Sequence, residues 1–327
     1  MTKKKFILGT RGSKLALWQS EHVASILQEK AGVEVELKII KTQGDKILDV
    51  ALSRIGDKGL FVKEIETALL ECEADLAVHS SKDVPTQIPE GLTLGAFLKR
   101  VDPRDVLISK SGQGLDALPA GSVIGTSSLR RIAQILHRRP DLKIEDVRGN
   151  LDTRLRKMDD GLFDAIVLAA AGLDRMGWAE GITERIPSDV MLSAVGQGAI
   201  AVEVREGDED MRELMTYLED PATRAAVTAE RALLRELEGG CQIPIGALGV
   251  LEDGVLKLDG MVAGLDGSRL IRDSITGAPE EADELGVRLA DKLKKQGADE
   301  ILAEVRAEIT EVPAEITEVP KPIHTNG

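Results

Sequence analysis

Apolar and polar positions switch between two periods along this chain. Residues 5–9 form a short apolar run. After the turn Thr10-Arg11-Gly12-Ser13, residues 14–30 place Leu15, Trp18, His22, Ile26 and Leu27 near one face of a helix. Residues 33–42 alternate as a strand. A polar, glycine-containing stretch over 43–59 reads as a long loop, and 60–72 resumes a helical pattern. Strands are expected at 75–79, 92–98 and 106–109. Strand and helix then alternate: 123–125 leads to a helix through 138, 143–147 to a helix through 158, and 165–170 to Gly172-Leu173-Asp174-Arg175. Repetition at this spacing predicts a parallel-rich, doubly wound sheet. The unit occurs before about residue 98 and again over 106–194, and the apolar strand 199–204 is placed to return to the first unit.

From Pro221 the pattern changes. Asp220-Pro221 reads as a helix start with its cap and a proline at the first position, and Gly239-Gly240 as that helix's end. Short strands follow, split by the hairpin signals Asp253-Gly254 and Asp266-Gly267. A polar helix near 280–295 closes a small α+β unit. Beyond it AEITEVP occurs at 307–313 and again at 314–320. Two short copies cannot build a solenoid, and the prolines and acids predict disorder from about residue 311.

Composition narrows the function classes. The 327 residues leave room for more than one core, and the 42 basic and 56 acidic side chains give a net charge of −14. Residues 1–201 are balanced, so 202–327 carry the whole excess, yet 123–157 hold nine Lys or Arg against four acids. A basic cluster on an acidic protein argues against a general nucleic-acid surface. It fits a cleft that collects a small polyanion, or else a solvated helix face. Seven aromatic residues are few for base stacking, and two cysteines cannot build a disulfide framework. No apolar run reaches the length of a membrane span, and Arg11 and Lys14 interrupt any signal-like start. A cytoplasmic, multidomain protein is expected.

Four polar constellations share one structural position, after a strand and at the start of a helix. They are Arg11 with Ser13; Ser80-Ser81-Lys82-Asp83; Thr126-Ser127-Ser128 with Arg130 and Arg131; and Arg148-Gly149-Asn150 with Arg154. Helix starts expose N–H groups and a positive dipole end, and ligands of open α/β sheets sit beyond the strands' carboxyl ends. Each constellation alone is equally a helix cap. Together they bring arginines whose planar forks match carboxylates or phosphates. Asp83 is the exception: among cations it stays ionised, and it opposes an anionic ligand unless that ligand also develops positive charge. A helix cap is the other reading of Asp83.

Other features carry less. Cys241 lies on a turn after a helix C-terminus with no histidine beside it, which argues against a protease-like nucleophile and suits attachment to a strong electrophile. Cys72 ends an ordinary helix. The run Gly196-Gln197-Gly198-Ala199 resembles a dinucleotide fingerprint but precedes a strand rather than opening a helix. The four histidines are dispersed, so no metal site is expected, and His79 reads as a buried structural residue near the Lys82/Asp83 turn. A solute-binding protein and a nicotinamide-dependent dehydrogenase are the rival classes. The first lacks an export signal here, and the second rests only on the glycine run.

The segments GTRGSKLALWQ, KTQGD, KGLFVKEIE, HSSKDVPT, DPRDVLIS, GTSSLRR, RGNLDTRLRK, LAAAGLDR, AVGQGA and EGGCQIPIGA occur in this order. Over residues 5–250 they resemble the porphobilinogen deaminase family. The resemblance implies an α/β fold with two doubly wound domains like those of periplasmic binding proteins, plus a small α+β C-terminal domain. The corresponding divisions are 1–98 with 199–217, then 99–198, then 218–310, with a tail at 311–327. It implies a transferase of tetrapyrrole, porphyrin and heme biosynthesis, a hydroxymethylbilane synthase. Such an enzyme deaminates porphobilinogen, joins four units head to tail on a covalent dipyrromethane cofactor, and releases the linear tetrapyrrole by hydrolysis. Matching residue by residue, Cys241 carries the cofactor by a thioether and Asp83 is catalytic. Lys82, Thr126, Ser128, Arg130, Arg131 and Arg148 bind the cofactor, while Arg11, Ser13, Arg154, Arg175 and Lys58 bind substrate or growing chain. Lys58 falls in Gly56-Asp57-Lys58, where Asp57 departs from the small residue usual in the family. The resemblance further implies a monomer whose partner is porphobilinogen, with no nucleic acid, membrane or metal. The AEITEVP tail lies outside the family pattern.

Overall fold

The computed structural model describes residues 5–46, 59, 61–237 and 243–311. Lys58, Cys241, the helix end expected at Gly239-Gly240 and the tail beyond Glu311 therefore lie outside the described residues.

The first lobe is built from β1 (Lys5–Thr10), α1 (Lys14–Ala31), β2 (Glu34–Ile39), α2 (Lys63–Leu70), β3 (Leu76–Ser80) and β4 (Leu92–Phe97). Chain order then leaves this lobe and returns through β10 (Ile200–Arg205). The strands lie in the order β2-β1-β3-β10-β4, with β1 parallel to β2 and β3, and β10 antiparallel to β3 and β4. Both faces are covered, as such sheets require. Phe6 and Leu8 pack with Val23 and Leu27 of α1, while Ile7 turns to Ile65 and Leu69 of α2. The expected loop after β2 opens with one helical turn, Gln43–Lys46.

The second lobe repeats the layout. It contains β5 (Asp105–Ser109), β6 (Val123–Gly125), α3 (Leu129–Arg138), β7 (Lys143–Glu145), α4 (Leu151–Asp159), β8 (Ala165–Ala169), α5 (Ala170–Met176) and β9 (Glu184–Arg185). Its order is β7-β6-β8-β5-β9, parallel through β6 and antiparallel at β5. Each sheet is thus three parallel strands closed by an antiparallel pair, less uniformly parallel than the strand–helix repetition suggests. In each lobe the fourth strand, β5 or β10, is the one that enters directly after the chain has crossed from the other lobe. The two crossings touch at Gly198, whose backbone has φ +89° and where a Cβ would lie 2.7 Å from the Val101 carbonyl oxygen. Only glycine suits that position.

Asp220 caps the next long helix by accepting from the Thr223 N–H at 2.8 Å. This helix, Pro221–Glu236, is the α7 of the chain, α6 being the short Glu209–Met215 that closes the first lobe. The third unit sets α7 and α8 (Ala282–Lys295) against the antiparallel sheet β11 (Ile245–Glu252), β12 (Val255–Ala263) and β13 (Leu270–Gly277). Asp253 and Gly254 both have positive φ in the first hairpin, 50° and 76°, as a two-residue turn demands. A final helix not expected from the sequence, α9 (Ala298–Glu311), buries Ile301, Leu302 and Val305. It includes the opening residues of the first AEITEVP copy.

Glu230 of α7 is fully buried where the three units meet. Its carboxylate accepts from the Arg100 guanidinium on one crossing, from the Gly196 N–H at 2.6 Å on the other, and from the Gly249 N–H of β11 at 2.7 Å. Among the described residues, no helix is long and apolar enough to cross a membrane.

Candidate active site

The carboxyl ends of β1, β3, β7 and β8 converge on one cleft between the first two lobes. Its cavity is about 780 Å³ and is lined by Arg11, Ser13, Lys82, Asp83, Arg131, Arg148, Arg154 and Arg175, all anticipated from the sequence. Thr126, Ser128 and Arg130 do not line it.

Local chemistry explains each placement. Ser13 accepts from the Ala16 N–H at 3.3 Å and so caps α1 while facing the cleft. The cap and the site are one feature here. Arg11 holds its guanidinium 4.3 Å from the Phe61 ring centroid, a cation–π contact. The tight turn Ser81–Asp83 follows β3 and brings Lys82 and Asp83 into the cavity together. On the opposite wall, Arg154 Nε donates to the Gly149 carbonyl at 2.8 Å. Arg175 Nη2 donates to the Gly198 carbonyl at 2.8 Å and stands 5.9 Å from the Trp18 ring, so it spans the two lobes.

Arg130 and Arg131 diverge in role. Asp105, the buried first residue of β5, accepts from Arg130 Nη1 at 2.7 Å, Arg131 Nη2 at 2.8 Å and Gln197 Nε2 at 2.9 Å. Arg130 Nη1 also donates to the Leu192 carbonyl at 2.7 Å. Arg131 is buried as well, its Nε and Nη2 on Asp105 and its Nη1 on the Val167 carbonyl, but it also lines the cavity. Burial alone would raise the Asp105 carboxyl, but the two guanidiniums hold it well below the usual carboxylate range. In the sequence Asp105 gives one signal, an acid opening the apolar run Val106-Leu107-Ile108, and nothing local marks it as a partner of the arginines. Thr126 is buried, its N–H donating to Glu145 and its hydroxyl accepting from the Ser128 N–H at 3.3 Å. Gln19, also unremarked, donates from Nε2 to Ser80 Oγ at 3.0 Å beside the Asp83 turn. The glycine run at 196–198 precedes β10 and lines the cleft floor rather than opening a helix.

The electrostatics are those of buried positive charge. Burial pushes the Lys82 ammonium down to about 8, with Arg131 and Arg130 adding repulsion against the pull of Asp83 and Asp105. Arg154 falls to about 10 through burial and the nearby Arg131 and Arg148, with Asp83 opposing. Burial likewise brings Arg175 to about 10. Cations this close favour deprotonation unless an anion joins them. Among the described residues no group of side chains could hold a metal ion.

Two α/β lobes closing on a cleft of guanidinium and ammonium groups, with the Asp83 carboxylate set among them, define a binder of a small polyanion. Residues 6–213 match the porphobilinogen deaminase dipyrromethane cofactor binding domain, and 224–295 match the C-terminal domain of the same family. The chain belongs to the porphobilinogen deaminase family. Porphobilinogen deaminase of Syntrophobacter fumaroxidans is 53% identical over 306 residues, covering 93% of this chain and 99% of that one. Porphobilinogen deaminase of Chlorobium chlorochromatii is 52% identical over 309 residues, with the same coverages. Among solved structures, an ABC transporter periplasmic substrate-binding protein from Coxiella burnetii aligns at TM-score 0.41 and 14% identity, over 67% of this chain and 94% of that one.

The residues present suit a dipyrromethane, whose two rings each carry an acetate and a propionate. The depressed Lys82, Arg154 and Arg175 are groups that bound carboxylates would restore to full charge.

Proposed function

We propose that this protein is a hydroxymethylbilane synthase: it deaminates porphobilinogen, joins four units head to tail, and releases the linear tetrapyrrole. One observation carries the reading: Asp83 shares one cleft with Lys82, Arg131, Arg148, Arg154 and Arg175, while the cleft's other acid, Asp152, pairs with Lys14. A carboxylate there weakens binding of a plain polyanion and helps one that also turns cationic. Loss of ammonia from the aminomethyl group leaves such a substrate, an azafulvenium with acetate and propionate arms. Asp83 supplies the opposing charge at the pyrrole nitrogen, a preorganised electrostatic contribution. Lys82, Arg131 and Arg148 hold cofactor carboxylates, and Arg11, Ser13, Arg154 and Arg175 hold those of incoming or growing rings. Arg130 and Thr126 act behind that surface, Arg130 by fixing Asp105 and Thr126 by shaping the turn that carries Ser128. Lys58 is assigned to the growing chain by family resemblance alone.

Dipyrromethane, held by a thioether on Cys241, supplies the primer end to which new rings are joined. The sheets fit a division into 1–98 with 199–217, 99–198 and 218–310, which we take as the domains, with a tail at 311–327. We take the protein to work as a cytoplasmic monomer without nucleic-acid or membrane partners. The net charge of −14 supports the exclusion of nucleic acid.

The test compares wild type with Asp83→Asn. Both should carry a two-ring pyrrolic adduct by intact mass, mapping to Cys241 and not Cys72. Ammonia and tetrapyrrole release should fall by about a hundredfold or more in the variant. Near-wild-type turnover by Asp83→Asn, or an adduct on Cys72, would overturn the assignment.

A further inference from the structure

Beneath the Asp83 turn lie three titratable side chains that this chemistry does not use. Glu66 of α2, His79 of β3 and Glu203 of β10 come together inside the first lobe. Glu203 is fully buried, His79 is 5% exposed and Glu66 8%. His79 Nε2 and Glu203 Oε2 are hydrogen-bonded at 3.1 Å. Oε1 of Glu203 and Oε1 of Glu66 are both buried without a hydrogen-bond partner among the described residues. The charged groups facing Glu66 are Glu203 across the sheet, His79 on β3 and Lys63 on its own helix. Two carboxylates on a dry sheet face cannot both ionise cheaply, so a proton is retained among the three.

The cluster joins two walls of one space. A small cavity of about 70 Å³ adjoins the main cleft beside Asp83, Arg11 and Ser13. Phe61 and Val62, which lead into α2, form one wall, and His79 and Ser80 at the end of β3 form the other. Glu66 lies one turn into α2, and Glu203 is held by His79, immediately before Ser80. Any change in attraction between Glu66 and the other two is felt as a change in the spacing of those walls.

We propose that Glu66, His79 and Glu203 form a positioning cluster in which a proton retained on Glu66 holds α2 against β3 and β10, fixing Phe61 relative to Asp83, and whose loss lets the walls part. The proposal rests on Asp83 being the catalytic group, while its physical core can be read without substrate. No covalent bond changes; the proton goes to solvent. Burial, then repulsion from Glu203, raises the Glu66 carboxyl to about 7, with His79 and Lys63 pulling the other way. The switch therefore falls near neutral pH.

The experiment compares wild type, Glu66→Gln and Glu203→Gln. The infrared band of a protonated carboxyl should titrate near pH 7 in wild type, vanish in Glu66→Gln, and move to lower pH in Glu203→Gln, where the repulsion is gone. At pH 8 the backbone amides of 61–70 should exchange more slowly in Glu66→Gln than in wild type, because the amide mimics the protonated state. With porphobilinogen, kcat of wild type should fall about tenfold per pH unit above the midpoint, and Glu66→Gln should lack that limb. A merely structural Glu66 would shift the melting temperature and leave the limb in place. Absence of the band from wild type, or an unchanged limb and unchanged exchange in Glu66→Gln, would overturn the cluster. Failure of wild type to turn over porphobilinogen would instead overturn the proposed function, with infrared and exchange still deciding the cluster.

Discussion

Neighbouring arginines in one motif do different work. Arg130 and Arg131 follow each other at the start of α3 and both bind the buried Asp105, yet of the two Arg131 also lines the cleft. Replacing Arg130 with Leu strips a guanidinium from Asp105, which keeps its other partners but loses half its compensating charge. Folding stability should drop by about 3 kcal/mol. Arg154→Leu removes a cation from beside Arg131 and Arg148 and one hydrogen bond to Gly149. Relief of repulsion offsets that bond, so stability should change by less than about 1.5 kcal/mol, while elongation stalls with incomplete chains. Urea unfolding and intact mass separate the two outcomes. A stable Arg130→Leu that stalls, or an unstable Arg154→Leu with normal chains, would reverse the roles.

At the level of elements, function concentrates at strand ends because parallel strands direct successive turns to one edge of each sheet. The lobes face each other along those edges, which brings turns from both into one cleft. The C-terminal segment shows how little of an element's role is visible in its composition. Residues 298–311 are rich in acids, but Ile301, Leu302 and Val305 recur at helical spacing and are buried. Removing residues 312–327 should leave thermal midpoint and turnover near wild type, because that tail's prolines and acids have little to bury. Removing residues from 298 onward exposes three core side chains worth roughly 1.5–3 kcal/mol each, and the third unit should then melt well below the rest. Calorimetry on both truncations checks this. Equal effects from the two cuts would show that the tail docks.

At the scale of the whole molecule, the Glu230 carboxylate touches both crossings and the third unit's sheet. Glu230→Gln leaves the Arg100 guanidinium buried without its counter-charge and one of two glycine N–H groups poorly served. The expected cost is about 3–5 kcal/mol, read as a lowered thermal midpoint. Because Gly196 sits on a crossing that also lines the cleft, turnover should be lost at lower temperature than in wild type. An unaltered midpoint would show that the crossings are held by other contacts.

The sequence by itself determined the elements and most of the site. Strand and helix periods, the Asp220-Pro221 start and the Asp253-Gly254 hairpin are local signals, since hydrogen bonding within a few residues decides them. The cationic turns were legible for the same reason: a strand end followed by a helix start is a short-range pattern, and the family motifs coincide with it. Tertiary structure alone decided which of those cations line the cleft. Arg130 and Arg131 both bind Asp105, 25 and 26 residues away, and no local rule links the three. Nor could spacing reveal that Glu66, His79 and Glu203, from three separate elements, share one buried space. Burial and charge compensation depend on what the fold brings near, and the chain crosses between lobes twice before those neighbours exist.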